Sequence, residues 1–432
     1  MTDHNNNNGK NIWIFHHYAT PPTINGFTRP YSFGIHLKNM GYDITVFASS
    51  YIHLSDYNLI TNNVSYIENM DTEIPFVFVN TPPSSNGYFK RIINMFAFYR
   101  RLFKVTTSYM KNHAKPDIII ASSPHPLTMI AGLQIAKKLH IPCICEVRDF
   151  WPEVFFMGGQ LKKESFLGKL LIKGEHWIYK NADALIFLKE GDVTYITDHH
   201  WAIEQGGDID LNKCYYINNG VDLESFDKQA VENILEDPDL ISGKFNVVCT
   251  GTIRPVNNVG NILDAAALLK EYTDIQFLIF GDGNELEKLK QRVVDEGLSN
   301  VKLKGYVEKK YIPFILSKAK VNILNYSQSK YNWSRGNSSN KLFEYMASGK
   351  PIISTVKMGY NILDKYRCGL SLKKDTPEEL AKCILEVRDM PRYKYDRMCI
   401  NARKGASHFD YKILSNKLHK VIDFALSKKR TS

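Results

Sequence analysis

A polar run, Ser338-Ser339-Asn340-Lys341, meets an apolar helical segment, Leu342-Phe343-Glu344-Tyr345-Met346-Ala347, with Gly349 and Pro351 behind it. Residues of these types in this order can bind an anion. The first turn of a helix offers unpaired N–H groups and the positive end of the helix dipole. Ser339 and Asn340 stand at that start, and Lys341 adds a full charge. Glu344 follows one turn into the helix, an acceptor placed for sugar hydroxyls. Together they read as a nucleotide-diphosphate cradle with a ribose hook.

Other segments carry compatible chemistry. In Thr250-Gly251-Thr252-Ile253-Arg254 the glycine permits close approach, and Arg254 can grip phosphate oxygens in bidentate fashion. The loop Gly305-Tyr306-Val307 can offer main-chain groups to a nucleobase edge. Gly26, in the loop after the first apolar run, lets backbone approach a phosphate or sugar. That loop lacks G-x-G-x-x-G, which argues against a nicotinamide or flavin site. His125, in Ser122-Ser123-Pro124-His125-Pro126, can steer an acceptor hydroxyl. Glu146-Val147-Arg148-Asp149 places three charges at a strand end, so they either pair with one another or face a cleft; Arg148 and Asp149 are the candidates for the cleft. Asp208-Ile209-Asp210 spells D-x-D, but it lies in a polar loop after two glycines, and His16-His17 and His199-His200 have no ligand partners nearby in sequence. No metal is expected.

These residues need elements to hold them. Short apolar runs alternate with helical patterns: strands at 11–16, 43–48, 117–121, 142–146 and 184–187, with a helix at 33–40 closed by Gly41. The pattern restarts with strands at 245–250, 276–280, 301–303 and 321–324 and helices at 261–271, 285–296 and 312–318. Alternation of this kind, with buried strands, indicates an α/β chain of parallel, doubly wound sheets. At 432 residues, two or three domains are expected. The expected plan is a disordered amino terminus (1–10), a first Rossmann-like domain (11–226), a charged linker (227–243), a second Rossmann-like domain (244–408) and a carboxyl-terminal segment (409–432) whose helix, 411–427, packs back on the first domain. Ligands of such sheets bind at the carboxyl ends of the strands.

Composition narrows the class. With 44% hydrophobic residues the chain can bury substantial cores. Seven scattered cysteines with no C-x-x-C pair point to free thiols in a reducing, cytoplasmic compartment. No apolar run reaches the length of a membrane span, so a soluble or peripheral protein is expected. The net charge of +10 asks for an acidic partner: nucleic acid, anionic lipid or a phosphorylated substrate. From 88 to 113, Lys90, Arg100, Arg101, Lys104 and Lys111 fall on one helical face, with Phe89, Ile92, Phe96, Tyr99, Phe103 and Met110 on the other. That segment reads either as a helix for an anionic membrane surface or as a domain helix with its apolar face buried.

In sequence order, Glu146–Pro152, Asn218-Asn219-Gly220-Val221-Asp222 with Phe226, Gly251–Arg254, Gly281-Asp282-Gly283 and Ser339–Pro351 resemble glycosyltransferase family 4. The likeness covers nearly the whole chain and is closest to the branch that builds bacterial O-antigen, capsule and related surface saccharides. It implies the GT-B architecture of two facing Rossmann-like domains. It also implies a retaining, metal-independent hexosyl or N-acetylhexosaminyl transferase. Such an enzyme moves a sugar from a nucleoside diphosphate, read as UDP, to a saccharide or polyprenyl-linked acceptor. The donor site it implies comprises Gly26, Gly251, Arg254, Tyr306, Val307, Ser339, Asn340, Lys341 and Glu344; Asp149, Arg148 and His125 face the acceptor. No cofactor is implied, and the setting is cytoplasmic or peripheral on the cytoplasmic membrane face.

The chain departs from the family at three places. Glu344 matches the second acid of the family's E-x7-E motif, but counting back eight positions gives Gly336, and main-chain groups of 336–339 can substitute. After Arg254, residues 255–260 offer no lysine for the diphosphate, which leaves Lys341 as the second cation. Arg148-Asp149 stand where many members have a histidine. A nucleotide-sugar 2-epimerase on the same fold is the alternative activity. A basic nucleic-acid-binding protein is the third, although no nucleic-acid module is recognisable.

Overall fold

The computed structural model describes residues 9–24, 26–53, 57–84, 87–329 and 331–428. The chain divides into two compact units, 1–188 with 192–217 and 414–432, and 189–191 with 218–413.

The first unit is built on eight strands: β1 (Asn11–His16), β2 (Asp43–Ser49), β3 (Tyr66–Asn69), β4 (Phe76–Val79), β5 (Ile118–Ser122), β6 (Cys143–Val147), β7 (Ala184–Phe187) and β8 (Cys214–Tyr216). Their order is β3-β4-β2-β1-β5-β6-β7-β8, parallel except for β3. The central strands read as unbroken apolar runs because helices cover both faces. Helix α1 (Arg29–Asn39) follows β1, α2 (Tyr88–Tyr109) precedes β5, and α3 (Pro126–Leu139) joins β5 to β6. The β6–β7 connection holds α4 (Trp151–Met157) and α5 (Phe166–Asn181). Trp13, Phe15, Phe47 and Tyr109 form an aromatic knot in the core, with neighbouring ring centroids 4.8–6.3 Å apart. From Leu414 onward the closing helix Tyr411–Ser427 belongs to this unit. The Tyr42 hydroxyl meets Nδ1 of His419 at 2.8 Å, and Tyr215 packs edge-on to Phe424.

The second unit holds β9 (Phe245–Thr250), β10 (Ile275–Phe280), β11 (Val301–Gly305), β12 (Val321–Leu324), β13 (Ile352–Ser354) and β14 (Gly369–Ser371), all parallel, in the order β11-β10-β9-β12-β13-β14. Both sheets are therefore doubly wound, as the alternation predicts.

The structure adds detail to the sequence reading and differs from it in places. The boundary drawn at 226/227 falls instead between Ile217 and Asn218. Residues 227–243 are no free linker. Lys304 binds both Asp237 (2.8 Å) and Asp239 (2.5 Å), and Gln276 donates to the Asp239 carbonyl, so the charges of this segment are tied to the second sheet. The expected disorder of 1–10 falls mostly outside the described residues; Gly9 N–H donates to the Gly41 carbonyl (3.3 Å). Helix α2 ends at Tyr109 rather than 113, and its buried stripe is Met95, Phe98, Leu102, Val105 and Tyr109. The stripe is rotated from the predicted apolar face because Asn94 and Thr106 are buried with it. Phe89 and Phe96, read as apolar-face residues, are exposed.

Candidate functional site

In the second unit, three strand ends are tied to one another. Gly251 N–H donates to the Phe280 carbonyl (3.0 Å), and Gly281 N–H donates to the Gly305 carbonyl (2.7 Å). A Cβ on Gly281 would lie 1.8 Å from the Gly251 carbonyl oxygen, so the two turns abut only because residue 281 has none. This brings Gly251 and the loop bearing Tyr306 and Val307 to one end of the sheet. Tyr306 is exposed and Val307 half-buried.

The helix Asn340–Ala347 is locked to the same end. Its Tyr345 is fully buried, and the hydroxyl accepts from Thr250 N–H (2.9 Å) and lies 3.3 Å from the Thr250 carbonyl. One turn earlier, Lys341 runs past Gly251: a Cβ at 251 would stand 4.0 Å from its Nζ. The ammonium donates to the Asn325 carbonyl (3.3 Å) and sits 4.1 Å above the Tyr326 ring. Glu344, half-buried, has the exposed Lys309 at 4.0 Å.

The loop ahead of that helix is held from below. Asn218 donates to the Asn337 carbonyl (3.0 Å), and Asn219 to the Ser338 carbonyl (2.6 Å). Asn337 Oδ1 accepts from Ser339 N–H at 2.7 Å. Among the described residues, the Asn337 amide nitrogen and the Ser339 hydroxyl are buried with no hydrogen-bond partner. Buried polar groups are rarely left so, and these flank a helix start with its own unpaired N–H groups. Lysine, amide, hydroxyl and helix dipole are a set of donors suited to an anion with several oxygens. Asn340 is exposed at the helix start, and Arg254 is exposed at the head of a short turn after β9. Gly336 has φ +113°, a conformation strained for any residue with a side chain, so a glutamate there would need a different loop.

The first unit is organised differently. Glu146, at the end of β6, is buried; Arg29 donates to its Oε2 from Nε (2.9 Å) and Nη2 (2.7 Å), and Ser122 donates to its Oε1 (2.6 Å). Arg148 stands 3.8 Å from the same carboxylate. Burial alone would raise the Glu146 pKa, but Arg29 and Arg148 outweigh it and hold the group at about 2. Of the three charges at this strand end, the acid is thus neutralised internally, while Arg148 and Asp149 are half-buried. Arg148 also lies 5.8 Å from the centroid of Phe27, beside Gly26. The Gly26 loop closes on itself through Thr20 N–H and the Phe27 carbonyl (3.2 Å).

His125 is buried, and its Nε2 lies 2.5 Å from Nδ1 of His17. Burial, helped by Arg91, lowers the His125 pKa to about 3; burial and Arg148 do the same to His16. Burial lowers His17 likewise, so the three rings are neutral at physiological pH, and among the described residues His125 Nδ1 and both ring nitrogens of His16 have no hydrogen-bond partner. Trp151 Nε1 donates to the Pro124 carbonyl (2.9 Å) and ties α4 to the His125 loop. The D-x-D carboxylates are engaged: Asp208 with His176 (2.7 Å) and Lys180 (2.9 Å), and Asp210 with Asn212 N–H (2.8 Å).

Within the second unit, the structure gathers Gly251, Tyr306, Val307, Ser339, Asn340, Lys341 and Glu344 at the strand ends. Within the first, it gathers Gly26, Arg148, Asp149 and His125. Sequence reasoning missed Asn337 and Tyr345 and gave no role to Asn218-Asn219 or to Arg29. Tyr345 was findable, since it lies one helical turn after Lys341. Arg29 is 117 residues from Glu146, and no local pattern joins them.

Two family models match the chain, Glycosyltransferase Family 4 over residues 28–225 and Glycosyl transferases group 1 over 244–389. A Bacillus subtilis (strain 168) relative, described as the teichuronic acid biosynthesis glycosyltransferase TuaH, is 27% identical over 48% of this chain and 51% of its own length. The match thus spans about half of that relative. Among solved structures, a sucrose-phosphate synthase from Thermosynechococcus elongatus superposes with a TM-score of 0.68 at 17% identity, covering 96% of this chain and 98% of the other. Anabaena HepE in complex with UDP superposes at 0.64 and 15% identity, covering 96% and 99%. These likenesses are of fold.

Proposed function

Since the chain belongs to glycosyltransferase family 4, we propose that it moves a sugar from a nucleoside diphosphate, UDP in the first instance, to a hydroxyl of a saccharide or polyprenyl-linked acceptor. The observation that carries the reading is the donor set at the start of the Asn340–Ala347 helix, which brings Lys341, Asn337 Nδ2, Ser339 Oγ and a helix start without a side-chain cap into one short segment.

In this proposal the C1–O bond to the β-phosphate breaks and a C1–O bond to the acceptor forms on the same face of the sugar, retaining configuration. Negative charge grows on the diphosphate, where Lys341, Arg254 and the helix start stabilise it without a metal. Glu344 accepts from the ribose hydroxyls, and the Tyr306–Val307 loop holds the base. The acceptor hydroxyl's proton passes to the departing phosphate, so no ionised enzymic base is required. Arg148 and Asp149 orient the acceptor, and the neutral His125 acts through its position rather than its charge. Gly336 in place of the family's first acid leaves the donor sugar to main-chain groups. The work is assigned to bacterial surface polysaccharide synthesis, at the cytoplasmic membrane face, with the basic α2 helix near the lipid. Among the described residues no helix is long and apolar enough to cross a membrane.

A thermal-shift panel of UDP, GDP, ADP and their sugars, followed by transfer assays with the stabilising donor, tests this. A bound donor raises the melting temperature. Stabilisation by none of them would overturn the reading, and conversion of donor alone to an epimer would replace it with the 2-epimerase.

A further inference from the structure

The α4–α5 hairpin of the first unit leaves more apolar surface in water than its length requires. Phe166 is 86% exposed, Leu167 and Leu170 are more than half exposed, and Val154 and Met157 on α4 are about half exposed. Lys162, Lys163, Lys169 and Lys173 are exposed among them.

The hairpin is a built feature. Ser165 caps α5, its hydroxyl accepting from Gly168 N–H at 3.1 Å. A Cβ on Gly168 would fall 2.5 Å from the Lys162 carbonyl, so glycine lets the lysine turn close onto the helix start. On α5, Glu175, Ile178 and Tyr179 face the core, whereas Phe166, Leu170, Lys173 and Trp177 recur at helical spacing along the opposite stripe. That stripe joins three bulky apolar groups to the ammonium group of Lys173.

We propose that this hairpin is a docking surface for an anionic lipid membrane. Long apolar side chains enter the acyl boundary, while lysines reach headgroup phosphates with their stems in the apolar layer. A second copy of the chain fits less well, because a two-fold contact would set the lysine fringe against itself. The position suits the same occupant. Helices α2, α3 and α5 pack side by side in one layer, and α2 and α5 both begin at the carboxyl ends of the parallel strands. At that end α2 also exposes Phe89, Ile93 and Phe96, beside the exposed Lys90. Arg148 and Asp149 follow β6 at the same end, so a membrane held there brings a lipid-linked hydroxyl to the strand ends. The inference rests on the lipid-linked form of the acceptor reading, yet it concerns side chains that the transfer step does not use.

Co-sedimentation of the full chain with vesicles tests it directly. Vesicles of phosphatidylglycerol with phosphatidylcholine should bind the protein, pure phosphatidylcholine much less, and binding should fall as salt rises. Phe166→Ser with Leu170→Ser, and separately Lys162→Glu with Lys163→Glu, should each weaken anionic-vesicle binding at least tenfold. Melting temperature, nucleotide stabilisation and transfer to a soluble acceptor should be unchanged, because these side chains are exposed and outside the donor site. Wild-type indifference to anionic vesicles overturns the proposal. So does undiminished binding by the hairpin variants with loss in Phe89→Ser/Phe96→Ser, which would move docking to α2. Concentration-dependent self-association abolished by the hairpin changes would assign the surface to a second copy. Failure of nucleotides to stabilise the protein would strike the transferase reading and leave the vesicle result standing.

Discussion

The strand ends of the two units treat charge in opposite ways. In the first unit the buried Glu146 is enclosed by Arg29, Ser122 and Arg148, and the nearby histidines are held neutral. In the second unit Lys341 donates to a carbonyl and sits over a ring face, and among the described residues Asn337 and Ser339 keep buried polar atoms without a hydrogen-bond partner. The first pairs its buried carboxylate with cations of the protein itself. The second leaves buried polar atoms beside a lysine with no carboxylate bonded to that lysine among the described residues. In the proposed function the first sheet end takes the neutral, polar acceptor and the second the charged leaving group, although both sit on the same kind of fold.

The largest expected effect comes from opening the closed network. Arg29→Ala leaves the Glu146 carboxylate buried without its main partner, which should cost about 3–5 kcal/mol of stability, read by urea denaturation. The sign with pH is fixed. Glu146 is held at about 2 against an ordinary value of 4.5, so wild-type stability from this group is present above 4.5 and lost as pH falls towards 2. In Arg29→Ala that acid-side loss should shrink. If Arg29→Ala melts like wild type at pH 7, the first strand end is not a closed ionic network. Next in size is the open site. Lys341→Ala should lower kcat/KM for transfer about 100-fold, or ~2.7 kcal/mol, with little change in melting temperature without nucleotide. Glu344→Ala should abolish most stabilisation by nucleotide while folding survives. Full activity in both variants would remove the distinction between the two ends.

The open site was more legible in sequence than the closed one, and the reason is locality. Lys341, Glu344 and the helix start lie within one turn, so side-chain types and helical spacing place them together. Strand β9 and the closing helix were likewise readable, because apolar runs and periodicity are local signals. Strands β3, β4 and β8 are three or four residues long and gave too little pattern. The pairing of Arg29 with Glu146 depends on β1 and β6 both ending on one side of the sheet, a product of topology. The α2 faces were misjudged because hydrophobicity cannot foresee that Asn94 is buried to bond Thr81 (3.1 Å) and the Pro82 carbonyl (2.6 Å).

A second buried acid sharpens what the arginines contribute. Glu175 accepts from Tyr179 (2.9 Å) and Tyr195 (2.6 Å), with no cation bonded to it among the described residues. Burial raises its pKa to about 7, and the two phenols only partly offset this. Its protonated form is therefore favoured by folding. The stability it contributes is complete below 4.5 and is lost as pH rises towards 7, the reverse of Glu146. Glu175→Gln should flatten stability between pH 4.5 and 7 and stabilise the protein at pH 8 by on the order of 2 kcal/mol. A variant less stable than wild type at pH 8 would mean that phenols satisfy a buried carboxylate as well as guanidinium groups do.

The smallest effect asks whether the open site is also rigid. Tyr345→Phe keeps the ring in its buried slot and removes the hydroxyl that accepts from Thr250 N–H. One buried donor loses its partner, at a cost of roughly 1–2 kcal/mol, visible as a modest fall in melting temperature. The hydroxyl is also what holds the helix start against Gly251, so the gap in which Lys341 lies should loosen. KM for the donor should then rise several-fold while kcat changes less, since the lysine and the helix N–H groups are still present. A fall in kcat with unchanged KM would place Tyr345's influence on the transition state instead. No change in either constant would mean that the bound anion, rather than the tyrosine, sets the geometry of the open end.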